Sequence, residues 1–395
     1  MPSTVVPVLG PDVAPIDGLE DLIVHLDKLV ADPETKMDPR LFDSVELQLA
    51  ESNIPPLLPC LLPKLTEVLK TTPHDPAVPV ALTIKLLGPV SFPQTLALAD
   101  EDSLIAALSS PAPSAKALAM TILHKAAASP SDVAHLAAMP TLLSHFLHTW
   151  LATPQVEIGE KGSRVLGDLL DTDATSEPLH RPSAGAGPIT IDGVTWVNGT
   201  SNRSNNNNAT EARHLRPRGT GALWNRLFHD PTLYTHLYAL PRGKDTLPGA
   251  PGHLSAHQTT LAQGRILRIL PRLAALDFRA VTQPPQPTLP SPPAEVEVDT
   301  SIGLLQFAAL RMVDKEDVLM HRNLVHFFDG LLSLLRLRAD MDGPEKDLIV
   351  RTASAILAEA TADDPALRDA LRSLPERTVP EEADGLRAFV ELVLS

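Results

Sequence analysis

The sequence has almost no cysteine and none of the common signatures of catalysis. Cys60 is the single cysteine among 395 residues, which excludes an intrachain disulfide and favours a reducing compartment. Leucines flank it on both sides, so we interpret it as a small buried hydrophobe. The sequence contains no G-x-x-x-x-G-K-[ST], H-E-x-x-H or G-x-S-x-G motif and no cysteine pair. We therefore expect no catalytic residue, no metal site and no cofactor, so an enzyme is the least favoured class.

The sequence also lacks an excess of positive charge and a long apolar run. A formal net charge of −15 argues against direct nucleic-acid binding, because phosphate recognition depends on a basic surface. No run reaches the roughly 18 apolar residues of a membrane span, and the proline-rich start has no basic signal-peptide region. We expect a cytoplasmic protein, with the nucleus as an alternative, that is monomeric and has no membrane partner.

Proline is abundant instead, at 39 of 395 residues, about twice the usual share. Many prolines directly follow a residue that can cap a helix, and proline is favoured at the first helical position because its missing N–H would be unpaired there. We predict helix starts at Asp38-Pro39, Thr72-Pro73, Asp75-Pro76, Ser110-Pro111, Ser129-Pro130, Thr153-Pro154, Asp230-Pro231 and Asp364-Pro365. The pairs at 39, 76, 111 and 154 recur at spacings of roughly 35 to 43 residues, close to one armadillo or HEAT-type repeat.

Amphipathic segments account for most of the remaining sequence. Apolar residues at spacings of three and four predict helices over 18–30, 39–50, 56–69, 77–87, 103–108, 114–128, 131–138, 140–151, 155–170, 222–228, 232–240, 258–278, 345–362, 365–373 and 381–394. No alternating strand pattern competes with them before residue 171. The predicted fold is all-α, an armadillo/HEAT-like helical-repeat solenoid with long disordered insertions.

The segment 302–338 is the clearest helical hairpin. Its apolar residues between 302 and 312 form one face of a short helix. Asp314, with Asp317 three residues later, predicts the start of a second helix. The second helix is apolar over more than one face, beginning with Val318 and Leu319, so we predict that it is sandwiched between neighbouring helices.

Two insertions interrupt the helices. Residues 171–220 are rich in Gly, Asn and Ser and predict a flexible insertion, within which Ile189–Val197 predicts a β-hairpin around Asp192-Gly193. Residues 281–300 form a proline-rich loop that we expect to be disordered. The predicted organisation is therefore an N-terminal array over 1–170, the insertion, and a C-terminal array over 221–395.

Charged surface residues are the remaining candidates for a site. Arg265, Arg268 and Arg272 fall within roughly a 60° arc if the helix continues through Pro271. They are either solvated arginines or a basic ridge on the concave face of the solenoid, where such proteins bind partners. With a second cluster at the turn of the 302–338 hairpin, the predicted protein-binding residues are Lys161, Arg164, Arg265, Arg268, Arg272, Arg311, Lys315, Asp317, His321 and Arg322.

Two other patterns have simpler interpretations. Gly159–Ser163 has the letters of a phosphate loop at the wrong spacing and within a helical pattern. Asp168, Asp171 and Asp173 could suggest a cation site, but at a helix end entering a loop we interpret them as a solvated acidic run.

Four segments resemble a known family. They are VEIGEKGSRVLGDLL at 156–170, LWNRLFHD at 223–230, LAQGRILRILPRLAALDF at 261–278 and GLLQFAALRMVDKEDVLMH at 303–321. Together they resemble the fungal Hsm3-like proteins, which are filed as DNA mismatch repair proteins and are similar to proteasome non-ATPase subunit 5. The resemblance implies an armadillo/HEAT-like assembly chaperone that binds the C-terminal domain of an ATPase subunit in the base of the proteasome regulatory particle.

Two alternatives stay open. A DNA mismatch repair accessory role predicts measurable DNA binding, which the net charge disfavours. A generic helical-repeat scaffold would bind peptides and ignore ATPase subunits.

Overall fold

The computed structural model describes residues 16–72, 75–175, 218–247, 252–286, 299–339 and 344–395, and the backbone of 189–191 and 194–196. These residues are almost entirely helical, which confirms the all-α class. They divide into two compact units, residues 1–126 and 127–395. The division expected at the 171–220 insertion differs from this one, because the helices on either side of the insertion pack together within the second unit.

The first unit is built from paired helices. They are α1 Leu19–Ala31, α2 Pro39–Gln48, α3 Leu58–Thr71, α4 Ala77–Leu87, α5 Phe92–Leu96, α6 Glu101–Ser109 and α7 Pro113–Lys125. Helix α1 packs against α3, α2 against α4, and α4 against α7. The core of this unit includes Leu22, Ile23, Phe42 and Leu65, whose side chains are fully buried. Helix α5, with a Ser91–Gln94 capping box, was not predicted from the sequence.

Helices of the second unit form three rows. They are α8 Pro130–Ala137, α9 Pro140–Ala152, α10 Val156–Asp173, α11 Ala222–His229, α12 Pro231–Ala239, α13 Ala256–Leu276, α14 Phe278–Thr282, α15 Leu304–Leu310, α16 Val318–Ala339, α17 Pro344–Thr361, α18 Pro365–Arg372 and α19 Pro380–Leu394. The first row is α8, α11 and α14, the second is α9, α12, α15 and α17, and the third is α10, α13, α16 and α19. Each helix packs against the next one in its row.

The cap–proline prediction is confirmed at some positions and wrong at others. The side chains of Asp38, Ser129, Asp230 and Asp364 accept backbone N–H groups at the starts of α2, α8, α12 and α18. Helices α4, α7 and α10 instead begin at Ala77, Pro113 and Val156, so the other described pairs do not start helices. Ser110 and Thr153 follow the ends of α6 and α9, where proline stops a helix. Pro76, Pro111 and Pro154 therefore lie one or two residues before a helix and not at its first position.

Helix α16 begins three residues later than Asp314 predicted. Asp317 accepts from the backbone N–H of Leu319 at 2.8 Å and of Met320 at 3.2 Å, and so caps the helix. The helix packs against α13, α17, α18 and α19, which confirms the predicted sandwich. Val318 and Leu319 are 84% and 61% exposed, however, and do not take part in it.

The residues on the two sides of the insertion meet at Asp173. Helix α10 continues through Asp173, three residues into the predicted insertion. The buried carboxylate of Asp173 accepts from the backbone N–H groups of Thr220, Leu223 and Trp224, and thereby caps α11 from the far side of the insertion. The predicted flexibility falls on residues outside those described.

The predicted β-hairpin is confirmed, because β1 Ile189–Ile191 pairs with β2 Val194–Trp196 in antiparallel register. Its turn, Asp192-Gly193, lies outside the described residues. The proline-rich loop begins after α14 and not at residue 281, and its residues 287–298 are likewise outside the description. In the part of the chain that the structure describes, no helix combines the length and apolarity needed to cross a membrane.

Replacing Asp173 by alanine should destabilise the second unit by about 3 kcal/mol, because buried N–H groups lose a charged acceptor. The matched control is Asp277→Ala. Asp277 caps α14 by accepting one hydrogen bond from the backbone N–H of Ala280, and its loss should cost about 1 kcal/mol. Urea denaturation gives both free energies of unfolding. Equal losses would contradict the role assigned to Asp173.

Candidate protein-binding groove

A groove of about 220 Å³ runs along α13 between α10 and α16. We call it the third-row groove. Its floor and walls include Leu261, Gly264 and Leu267 of α13, Val156 of α10, and Leu319 and Phe327 of α16. Polar groups stand at its rim, among them Glu160 and Arg268. The groove is therefore apolar inside and charged at its edge, as in many protein-binding grooves.

Large apolar side chains remain exposed at this groove. Val156 is 58% exposed and Leu319 is 61% exposed, and the adjacent Val318 is 84% exposed. These side chains come from the first turns of α10 and α16, whose later turns supply the buried core. Clustered exposed apolar residues around a concavity mark interaction surfaces.

Gly264 leaves the middle of the groove floor open. It lies inside α13, where glycine is less favourable than alanine by about 1 kcal/mol. A Cβ added at Gly264 would meet no atom within 4 Å. Internal packing therefore does not require glycine here, and its absent side chain lets another group approach the α13 backbone closely.

Arg265 is a structural residue, and its predicted place on an exposed ridge is wrong. Its side chain is buried, with the residue only 5% exposed. The guanidinium donates to the carbonyl oxygens of Trp150, Leu151 and Thr153 at 2.8–2.9 Å and of Gln155 at 3.2 Å. The first three of these groups end α9, so Arg265 caps that helix from α13, and Gln155 immediately precedes α10. Burial lowers the pKa of Arg265 to about 10, which leaves it charged at neutral pH.

The glycines of α10 make room for this packing. A Cβ on Gly159 would overlap the Arg265 guanidinium, and one on Gly167 would overlap that of Arg272. A Cβ on Gly162 would lie 2.6 Å from Cδ1 of Trp150. The phosphate-loop letters at 159–163 are thus contact positions on a helix, as their spacing indicated.

The other two arginines of the predicted ridge are ion-paired with α10. Helix α13 does continue through Pro271, so Arg268 and Arg272 share a face as predicted. Arg268 pairs with Glu160, and Arg272 donates two hydrogen bonds of 3.0 Å to Asp168. Each positive charge therefore has a negative partner. Binding of protein by Arg268 and Arg272 stays a prediction.

The carboxylates of the acidic run at the end of α10 contact other parts of the second unit. Asp168 and Asp171 are partly exposed and contact Arg272, and Asp173 is the buried cap of α11. The solvated interpretation is therefore wrong for Asp173. No cluster of three metal-binding side chains occurs among the described residues.

Most of the second predicted cluster contacts the end of α17. Lys315 donates to the carbonyl oxygen of Ala360 at 2.9 Å, His321 Nε2 lies 2.8 Å from Asp364 Oδ2, and Arg311 lies 3.5 Å from Glu359. Asp317 caps its own helix. These contacts explain why charged residues occur here without requiring a partner, although protein binding by them stays a prediction.

Besides Arg268 at the rim, the predicted site residues that remain exposed beside the groove are Arg164 and Arg322. Arg164 follows Glu160 by one turn of α10, and Arg322 precedes His326 by one turn of α16, so spacing places both on the groove side. Arg322 Nε lies 3.4 Å from His326 Nε2. Neither arginine forms an ion pair with a carboxylate in the described residues. Lys161 is half-buried, and burial followed by the charge of Arg164 lowers its pKa.

A buried histidine network lies elsewhere in the second unit. Ser144 Oγ of α9 is 2.7 Å from His236 Nε2 of α12, and His236 Nδ1 is 2.6 Å from Thr246 Oγ1. Beside it, His148 Nε2 is 2.8 Å from Asp245 Oδ1. The second ring nitrogen of His236 thus contacts a hydroxyl and not a carboxylate. The network joins α9, α12 and the segment after α12.

Comparison with known proteins gives no relative: no family model matches the chain, and no curated protein matches it. The resemblance to the Hsm3-like family therefore stays a prediction.

Sequence reasoning missed the groove itself. Val156, Gly264 and Leu319 were assigned no role, or were expected to be buried. The one available signal is Gly264, a glycine inside an otherwise regular helical pattern, which often has a packing or binding reason.

Replacing Arg265 by alanine should lower the free energy of unfolding by about 3 kcal/mol, because the carbonyl groups at the end of α9 lose their donor. Arg268→Ala, one turn away, should cost less than about 1 kcal/mol, because its ion pair is exposed. Denaturant titration of both variants checks this. Similar losses would show that Arg265 is no more structural than Arg268.

Acidification should destabilise the protein through His236. Burial, followed by the charges of His148 and His145 and opposed by Asp245, lowers the pKa of His236 from 6.5 to about 3. Below pH 6.5 His236 is therefore protonated in the unfolded chain but stays neutral in the folded chain. The stability that this neutral histidine contributes above pH 6.5 is lost as the pH falls. The loss should be about 2 kcal/mol between pH 6.5 and 5.

Comparing the protein with His236→Gln at both pH values by denaturant titration isolates this contribution. Glutamine can form the same hydrogen bonds but does not titrate. If the free energy of unfolding falls between pH 6.5 and 5 by as much in His236→Gln as in the unaltered protein, His236 is not the source of the loss.

Proposed function

We propose that the chain is a helical-repeat solenoid that binds another protein in the third-row groove. The observation that supports this most directly is the open floor over Gly264 between exposed Val156 and Leu319. Three successive triplets, each ending in a long helix of 18, 21 or 22 residues, support armadillo-like repeats. In such repeats the last helices of neighbouring units lie side by side and form the binding surface.

We propose that the partner is the C-terminal domain of an ATPase subunit from the base of the proteasome regulatory particle. Support comes from the resemblance of four segments to the Hsm3-like family. Three of them, at 156–170, 261–278 and 303–321, supply parts of α10, α13 and α16 next to the groove. The chain would act as a non-enzymatic chaperone in the cytoplasm and nucleus, covering ATPase surface that would otherwise dock too early on the proteolytic core.

Apolar contacts would supply more of the affinity than charge. Arg268 and Arg272 already have carboxylate partners, so they add less net attraction than unpaired cations would. Exposed Val156 and Leu319 can bury apolar area at about 25 cal/mol per Å². Salt should therefore slow association only moderately, by screening the charges of Arg164 and Arg322.

Affinity purification of the tagged chain at native level, followed by mass spectrometry, should recover base ATPase subunits without the core particle. Leu319→Asp should lower that recovery at least about tenfold, because a charge would face the apolar groove. Leu47→Asp is the matched control, since Leu47 is 87% exposed on α2 in the first unit.

Recovery of mismatch repair factors instead would favour the repair accessory role. Recovery of other proteins without any proteasome subunit would favour a generic scaffold that binds peptide segments. Either result would overturn the chaperone proposal.

A further inference from the structure

We infer that the third-row groove accepts an amphipathic α-helix whose apolar face is flanked on both sides by acidic side chains. This inference rests on the proposed function in taking the groove as the protein-binding site. It adds the conformation and the charge of the segment that is bound.

The lining of the groove favours a helix over an extended peptide. An extended peptide needs hydrogen-bond partners for its own backbone when water is excluded. The backbone of α13 is occupied by its own helix, and Asn323 is the one side-chain amide among the lining residues. A helix satisfies its backbone internally and can lie on an apolar floor, as in other helix-in-groove complexes.

The length of the groove suits about three turns of a bound helix. Its lining extends along α13 from Thr260 to Pro271, which corresponds to roughly 17 Å at 1.5 Å per residue. Gly264 lies near the middle of that length. The open space above it would receive one large apolar side chain from the bound helix, while Val156 and Leu319 contact its neighbours.

The positive charge around the groove favours a bound helix with acidic side chains on both sides of its apolar face. Arg164 on α10 and Arg322 on α16 stand on opposite sides of α13 and form no ion pair with a described carboxylate. Lys161 is a further cation beside Arg164, and its pKa is lowered first by burial and then by the charge of Arg164. Carboxylates on a bound helix would relieve this repulsion and pair with both arginines. Because the whole chain is acidic, with net charge −15, these two cations are a local exception.

Two synthetic helical peptides of about 14 residues test the inference without any natural partner. They share one leucine stripe and differ in having glutamate or lysine on both flanks. The full chain should bind the glutamate peptide at least about tenfold more tightly in a fluorescence anisotropy titration.

The variants assign that binding to the groove. Gly264→Trp should weaken binding of the glutamate peptide at least about tenfold, whereas Leu47→Trp, at a side chain that is 87% exposed on α2 in the first unit, should bind it normally. Arg164→Glu with Arg322→Glu should remove the preference between the peptides. Arg279→Glu is the matched control, because Arg279 is exposed on α14 in the first row.

Equal binding of the two peptides, or binding that Gly264→Trp does not change, would overturn the inference. Failure of the proposed function is separate: it would appear as a chain that binds no C-terminal domain of a base ATPase while still binding the glutamate peptide in the groove. An ATPase domain bound equally well by the protein and by Gly264→Trp would show that this domain does not bind in the third-row groove. That result would overturn both the inference and the groove assignment, and would leave only the chaperone role standing.

Discussion

The second unit depends on the close approach of α10 to α13. Gly159 has no side chain, and the guanidinium of Arg265 occupies the space that a Cβ would need. From there it reaches the carbonyl groups that end α9, so one side chain joins three helices. Gly167 and Arg272 repeat the arrangement two turns further on. A larger residue at Gly159 would separate the helices and leave the buried charge of Arg265 without its acceptors, and one at Gly167 would displace Arg272 from Asp168.

This packing determines which side chains of the third row are exposed. The arginines that form a basic stripe in the sequence are turned toward α10 and neutralised or buried there. What remains open is the apolar strip over Gly264, bordered by Val156 and Leu319. If a protein binds in this groove, as proposed, desolvated apolar contacts would supply most of the affinity, and Arg164 and Arg322 would contribute specificity.

Sequence reasoning succeeded where local chemistry decides the structure. Asp38 and Asp230 cap helices because each is followed by proline and then by an amphipathic segment. It failed where the same local pattern has two outcomes. Thr153-Pro154 lies between the end of α9 and the start of α10, so its sequence fits either a helix end or a helix start. In the structure Thr153 ends α9, and its carbonyl group accepts from Arg265 of α13, which is distant in sequence.

The sequence by itself determined the all-α class, most of the helices and the sandwiched position of α16, because periodicity and capping act over a few residues. It could not determine the boundary at Ala126, the cap that Asp173 provides across the insertion, or the direction of Arg265. Those features depend on contacts between residues far apart in the chain. Only the tertiary structure brings Gly159, Arg265 and the end of α9 together, and so decides which charges are structural and which surface is free.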